Sequence, residues 1–161
     1  MLRESSKSDG DIPVTVVADN RRAHHDYHII EVIEAGIALQ GTEVKSLRLG
    51  RVNLREGYAA VEQGEVFLYN VHISPYEEGN RFNHEPLRRR RLLLHRREIL
   101  RLSGLTRQQG MTLVPMRVYF KRGRAKLELA LARGKKLYDK REDLARKDAQ
   151  REIERALRGK E

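Results

Sequence analysis

The chain has 161 residues, 33 Lys+Arg against 23 Asp+Glu, a formal net charge of +10, and neither cysteine nor tryptophan. That length suits one domain with a tail. The missing cysteine excludes disulfides, zinc–thiolate sites and thiol nucleophiles, and no apolar run approaches the roughly 20 residues of a membrane span.

The first residues, Met1 to Ile12, are polar and carry no apolar core of the signal-peptide kind, so a soluble, cytoplasmic protein is expected. Charge is distributed unevenly. Residues 1–87 hold 9 Lys+Arg and 14 Asp+Glu, whereas residues 88–161 hold 24 and 9. A basic half of that size points to a polyanion, most commonly nucleic acid, because phosphate neutralisation releases counterions. The plainer alternative is a solvated, charge-rich surface.

In chain order, Met1–Val14 lacks periodicity and reads as a loose arm, drawn to residue 19 as a first segment, 1–19. The run Tyr27–Glu34 is β-branched and strand-like. A short helix near 42–49 follows, with Val44 and Leu47 on one side, Lys45 and Arg48 on its polar face, and Gly50 as its stop. Tyr58–Glu62 and Glu65–Ile73 read as strands around a Gln63-Gly64 turn, and Ser74–Pro86 as a polar loop. A second helix is expected over 95–109, weakened by Ser103-Gly104. Thr112–Phe120 and Ala125–Ala132 form a predicted hairpin, with Leu127, Leu129 and Leu131 on one face and Pro115 marking an edge or bulge. Short strands, turns and two helices in residues 20–133 point to a mainly β fold, a small closed antiparallel barrel.

The segment 134–161 differs. Ala145, Ala149, Ile153 and Leu157 recur every four residues, and Glu142–Arg146, Asp143–Lys147 and Glu154–Arg158 are favourable i,i+4 pairs. Such a helix is marginal alone in water, so the tail is expected to be disordered when free and helical when bound.

No catalytic machinery is visible. There is no P-loop, nucleophile elbow or dinucleotide fingerprint, and Glu77-Glu78 lacks a second acid at a defined distance. His24, His25 and His28 lie near Asp26. Adjacent histidines entering a strand point to opposite faces, so no metal site is expected. Arg88–Arg91 with Arg96-Arg97 brackets Leu92-Leu93-Leu94, and phosphate binding by these arginines is the favoured reading over a solvated run. The hairpin tip Lys121-Arg122-Gly123-Arg124, with Lys126, extends that idea. Tyr138, inside a basic segment, either stacks on an unpaired base or docks on the barrel.

Four stretches together resemble the SmpB family, the SsrA-binding proteins of bacteria. They are NRRAHHDY from Asn20, EAGIALQGTEVKSLRLGRVNL from Glu34, GEVFLYNVHISPYEEGNRFNHEPLRRRRLLLHRREI from Gly64 and LALARGKKLYDKRED from Leu129. The resemblance implies an OB-like barrel with flanking helices, not an enzyme and without cofactor, working as a likewise monomeric RNA-binding adaptor. Its implied partners are the tRNA-like domain of tmRNA, elongation factor Tu in the delivery complex, and the decoding centre and mRNA channel of stalled ribosomes. The implied outcome is trans-translation: tagging of the nascent peptide and release of the ribosome. By the same resemblance tmRNA contacts fall on Asn20, Arg22, His25, Glu34, Gly36, Lys45, Leu93 and Lys126. Glu34 would accept hydrogen bonds from base edges or orient a neighbouring cation. Ribosome contacts fall on Gly134, Lys135, Lys136, Asp139, Lys140 and Arg141, and the resemblance tips Tyr138 toward stacking. His24 departs from the arginine often found there, which replaces a permanent cation with imidazole. Rival readings are a generic OB-barrel RNA chaperone or ribosomal protein and an RNA-processing enzyme.

Overall fold

A computed structural model describes residues 12–77, 82–107, 110–135 and 137–159. In chain order the elements are β1 (Val14–Asp19), α1 (Arg21–Asp26), β2 (Tyr27–Ile37), α2 (Gly41–Arg48), β3 (Val52–Asn53), β4 (Tyr58–Glu62), β5 (Glu65–Tyr69), β6 (His72–Ile73), β7 (Arg90–Leu93), α3 (Arg96–Thr106), β8 (Met111–Lys121), β9 (Arg124–Gly134) and α4 (Leu137–Arg158). One sheet has the order β1-β8-β4-β5-β7-β2-β9, with β8 also pairing β9. All its ladders are antiparallel. The β4–β8 contact rests on the bridge Ala59↔Leu113. Strands β3 and β6 form a separate pair.

The alternation of β9 decides the core. Leu127, Leu129 and Leu131 point inward and are fully buried with Val66, Leu68, Leu92, Leu113 and Val118. Each buried leucine contributes about 1.5–3 kcal/mol relative to exposure. On the opposite face Ala130 and Ala132 are buried as well, in a smaller cluster with Ala23, Val114 and Met116. Their small side chains let α1 lie close to the strands.

Several boundaries differ from the sequence reading. Residues 14–19, placed in the arm, form β1 and pair with β8 from Val14↔Lys121 to Asp19↔Arg117. Helix α1 was not foreseen. Its six residues are too few for a periodic signal, and its mark is the cap residue Asn20, whose Oδ1 accepts from Ala23 N. The predicted strand Glu65–Ile73 is split, because Asn70 turns the chain at φ +57. His72–Ile73 then joins the second sheet. Helix α3 is Arg96–Thr106, shorter than 95–109, and residues 108–109 lie outside the described set. It passes through Ser103-Gly104 because Leu102 is fully buried and Leu105 packs on the core. Pro115 sits at a bulge between Pro115 and Arg117. It is not on an edge, since β8 is flanked by β1, β4 and β9.

The tail boundary also moves. Gly134 pairs with Tyr27 at the end of β9, and Lys135 N donates to the Asp26 carbonyl at 2.9 Å. Both residues are therefore anchored to the folded domain. Beyond them, where the sequence pattern predicts no order in the free chain, the structure has helix α4. Its stripe is uncovered, with Ile153 61% and Leu157 65% exposed.

Candidate nucleic-acid interface

Register places the site. Gly36 near the end of β2 pairs with Leu93 of β7 on one side and Lys126 of β9 on the other. Leu93, Gly36 and Lys126 thus form a row across three strands, and Glu34 lies two residues back on the same face of β2. Alternation in β7 buries Leu92 and leaves Leu93 47% exposed. Leu93 leans over Gly36, where an added Cβ would stand 3.1 Å from Leu93 Cβ. The absence of a side chain at 36 lets the leucine lie flat. An open cleft of about 520 Å³ follows the row, lined by Glu34, Gly36, Glu65, Leu93, His95 and Lys126 among others.

Glu34 is held from beneath. Its Oε2 accepts from the Tyr119 hydroxyl at 2.5 Å and from Lys121 Nζ at 3.3 Å. Burial, then the bonded Glu34 carboxylate, pushes the Tyr119 phenol well up, so it stays a donor. Lys45 projects from the exposed face of α2 with Nζ 5.4 Å from the Tyr76 ring centre. Beside it, the Arg48 guanidinium lies 4.9 Å over Phe120.

Asn20, Arg22 and His25 are elsewhere. Helix α1 precedes Tyr27, at the far end of β2 from Gly36, roughly 25–30 Å along the strand at about 3.3 Å per residue. The buried Asn20 amide donates to Leu54 O at 3.3 Å and Pro115 O at 3.0 Å. Both of its donors are consumed inside the chain, which makes it a structural anchor for α1. Arg22 Nε pairs with Asp26 at 3.2 Å, and His25 Nδ1 lies 3.1 Å from the same carboxylate. His24 and His25 are helical, not at a strand entry as the sequence reading had them, while His28 is in β2. Among the described residues no three His, Asp or Glu side chains come together as metal ligands.

The arginine run is not a row of free rim cations. Arg90 is 1% exposed and Glu43 is 0% exposed, and the two form a buried ion pair. Arg90 also donates to Val71 O at 2.7 Å and Pro86 O at 3.0 Å. Arg88 shares the Glu43 carboxylate and donates to Ala38 O. Burial alone would raise the Glu43 carboxyl, but Arg88, the Gln40 N–H and Arg90 hold it below its usual range. Arg89 lies 4.2 Å over Phe67 and pairs with Glu62, and Arg91 pairs with Glu65. Sequence alone cannot show these partners, because each acid lies 26 to 47 residues away from its arginine.

In the tail segment, Lys135 bonds to the His24 carbonyl and to Asp143 of α4, tying the helix start to α1. Lys136 lies outside the described residues, Tyr138, Asp139 and Lys140 fall in the first turn of α4, and Arg141 is exposed.

The family model described as "SmpB protein" matches residues 17–159. The SsrA-binding protein of Moorella thermoacetica is 68% identical over 146 residues, covering 90% of this chain and 94% of that one. That of Carboxydothermus hydrogenoformans is 66% identical over 145 residues, covering 90% and 97%. A solved structure presented as "tmRNA-SmpB: a journey to the center of the bacterial ribosome" is 55% identical, with a TM-score of 0.64, covering 74% of this chain and 85% of that one. A match that spans β1 to the end of α4, joined to identity of this level, places the chain in the SmpB family.

Proposed function

We propose that this chain binds the tRNA-like domain of tmRNA and acts as its adaptor in trans-translation. The observation that carries the reading is the row Leu93–Gly36–Lys126 beside Glu34. It combines an apolar platform, a cation and a carboxylate acceptor in one open cleft. Leu93 offers a surface for an unstacked base, Lys126 meets phosphate, and Glu34 accepts from donor groups on a base edge. The SmpB–tmRNA solved structure and the SsrA-binding relatives support this choice of RNA.

The cycle of pairings β8-β4-β5-β7-β2-β9-β8 is an OB-like barrel closed on itself. The protein works as a cytoplasmic monomer and carries no enzymatic activity. It travels with elongation factor Tu. Its tail exchanges between disorder and the α4 helix, and enters the empty mRNA channel through Lys136, Tyr138, Asp139, Lys140 and Arg141. A basic helix fits a channel of anionic rRNA only where mRNA is absent.

A gel shift with the tRNA-like half of tmRNA against an ordinary tRNA tests the reading. Preference for the former is expected, and equal affinity overturns it in favour of a generic RNA chaperone. Incubation with RNA that yields cleavage or modification would establish the enzymatic rival instead.

A further inference from the structure

The β8–β9 hairpin is closed by Arg122 and Gly123 at φ +53 and +74. That is the two-residue type I′ turn, whose first position favours Asn, Asp or Gly. An arginine there is disfavoured by its own backbone, and such a residue persists where something else selects it.

Its surroundings supply the reason. Lys121, Arg122, Arg124 and Lys126 line one open pocket of about 520 Å³ with a single carboxylate, Glu34. Glu34 is already engaged by Tyr119 and Lys121. Among the described residues no ion pair forms at Arg122, Arg124 or Lys126, in contrast to the Arg88–Arg91 run, where every arginine meets a carboxylate. Arg124 and Lys126 also rim a smaller apolar pocket that shares Gly36 and Leu93 with the cleft. The tip therefore leads directly into the row described above. The cleft itself holds Glu34, Glu65 and Glu98 against Arg91, which is paired with Glu65, and Lys126 at its edge, a lining with little spare positive charge that suits base donor groups. Phosphates of a strand whose bases lie in that cleft need cations beside it, and the hairpin tip offers them.

We propose that the tip is a phosphate clamp. Arg122 and Arg124, with Lys126 at the cleft edge, grip the RNA backbone without reading sequence, while Leu93 over Gly36 and Glu34, held by Tyr119 and Lys121, select the RNA. The proposal rests on the tmRNA-binding reading and divides its contacts into two physical kinds.

The test uses the full chain with Arg122→Asn, Arg124→Gln and, as a control at the exposed end of α3, Arg107→Gln. Dissociation constants for the tRNA-like domain and for an ordinary tRNA are measured from about 50 to 300 mM salt. Each tip variant is expected to flatten the log–log salt slope by about 0.7–0.9, one phosphate's share. Both RNAs should weaken by the same factor, so the preference between them persists. Arg122→Asn should also melt no lower than the parent chain, since asparagine suits the turn. An unchanged slope overturns the clamp, as does a loss confined to one RNA or an equal change in the control. If the parent chain shows no preference for the tRNA-like domain, the functional reading fails. The slope on ordinary tRNA still decides the clamp.

Discussion

Substituting Glu43→Gln removes one charge and almost no volume from the least exposed ion pair of the fold. Glu43 accepts from Arg90, from Arg88 and, at 2.8 Å, from Gln40 N. Glutamine keeps one oxygen acceptor, but its amide faces the buried Arg90 guanidinium, whose ion-pair partner it has replaced. Breaking a buried pair in this way costs about 3–5 kcal/mol. The retained acceptor places the expected loss near the lower end, roughly 3 kcal/mol, or about 6–12 °C in melting temperature for a chain of this size. Circular dichroism melts read it directly. The pH dependence gives the sign independently. The Glu43 carboxyl lies below its ordinary value of 4.5, so its contribution is complete above that value and disappears as pH falls through the lowered one. The gap between parent chain and variant should therefore be full at pH 7 and narrow on acidification below about 4.5. A double change to apolar residues, Glu43→Leu with Arg90→Met, should destabilise less than Glu43→Gln, because the fully buried guanidinium leaves with its partner and only the part-exposed Arg88 loses its carboxylate. A loss below about 1 kcal/mol, or a gap that does not narrow in acid, would mean that Glu43 does not hold Arg90 as a buried ion pair.

Other outcomes follow from the same geometry. Leu93→Ala is expected to weaken binding of the tRNA-like domain by on the order of tenfold, with the salt slope and melting temperature nearly unchanged, since the side chain is half exposed. A gel shift series across salt checks it. Gly57→Ala places a Cβ 2.7 Å from Val71 Cγ2 and 2.8 Å from Pro115 Cγ, and should cost about 1–3 kcal/mol in urea unfolding. Lys126→Ala should flatten the salt slope by about one phosphate's share, and an unchanged slope removes it from the contact set. Truncation after Lys135, which keeps the β9 end and its bond to Asp26, should spare tmRNA affinity and abolish peptide tagging in a translation extract. A collapse of affinity would show that the two binding regions are not separable.

Much of the fold was legible from local pattern. The leucine alternation of 127–131 identified the inward face of β9 because a strand's period is two, and that face is the core. Helix α2 was legible from Val44, Leu47 and the stop at Gly50, whose φ is +72. Strand β1 and helix α1 were not. A strand of six residues with four exposed positions, and a helix of under two turns, carry too little periodicity. The site divided in the same way. The resemblance named Glu34, Gly36, Leu93 and Lys126, which register brings together across three strands. It also named Asn20, whose amide is spent holding α1 in place.

Charge separates what composition determines from what folding decides. Composition sets a net of +10 with an acidic first half and a basic second half, which points to a polyanionic partner. Tertiary structure decided which cations remain for that partner. Glu31, Glu34, Glu43, Glu62 and Glu65 of the acidic half pair with Arg101, Lys121, Arg88, Arg90, Arg89 and Arg91 of the basic half. Antiparallel pairing of β2 and β5 with β7, and the packing of α2 beneath it, bring residues dozens of positions apart within a few ångströms. Coulomb attraction acts at that range and not along the chain. The four consecutive arginines each meet a carboxylate, while Arg122 and Arg124 of the β8–β9 tip form no ion pair among the described residues and line the pocket beside the cleft.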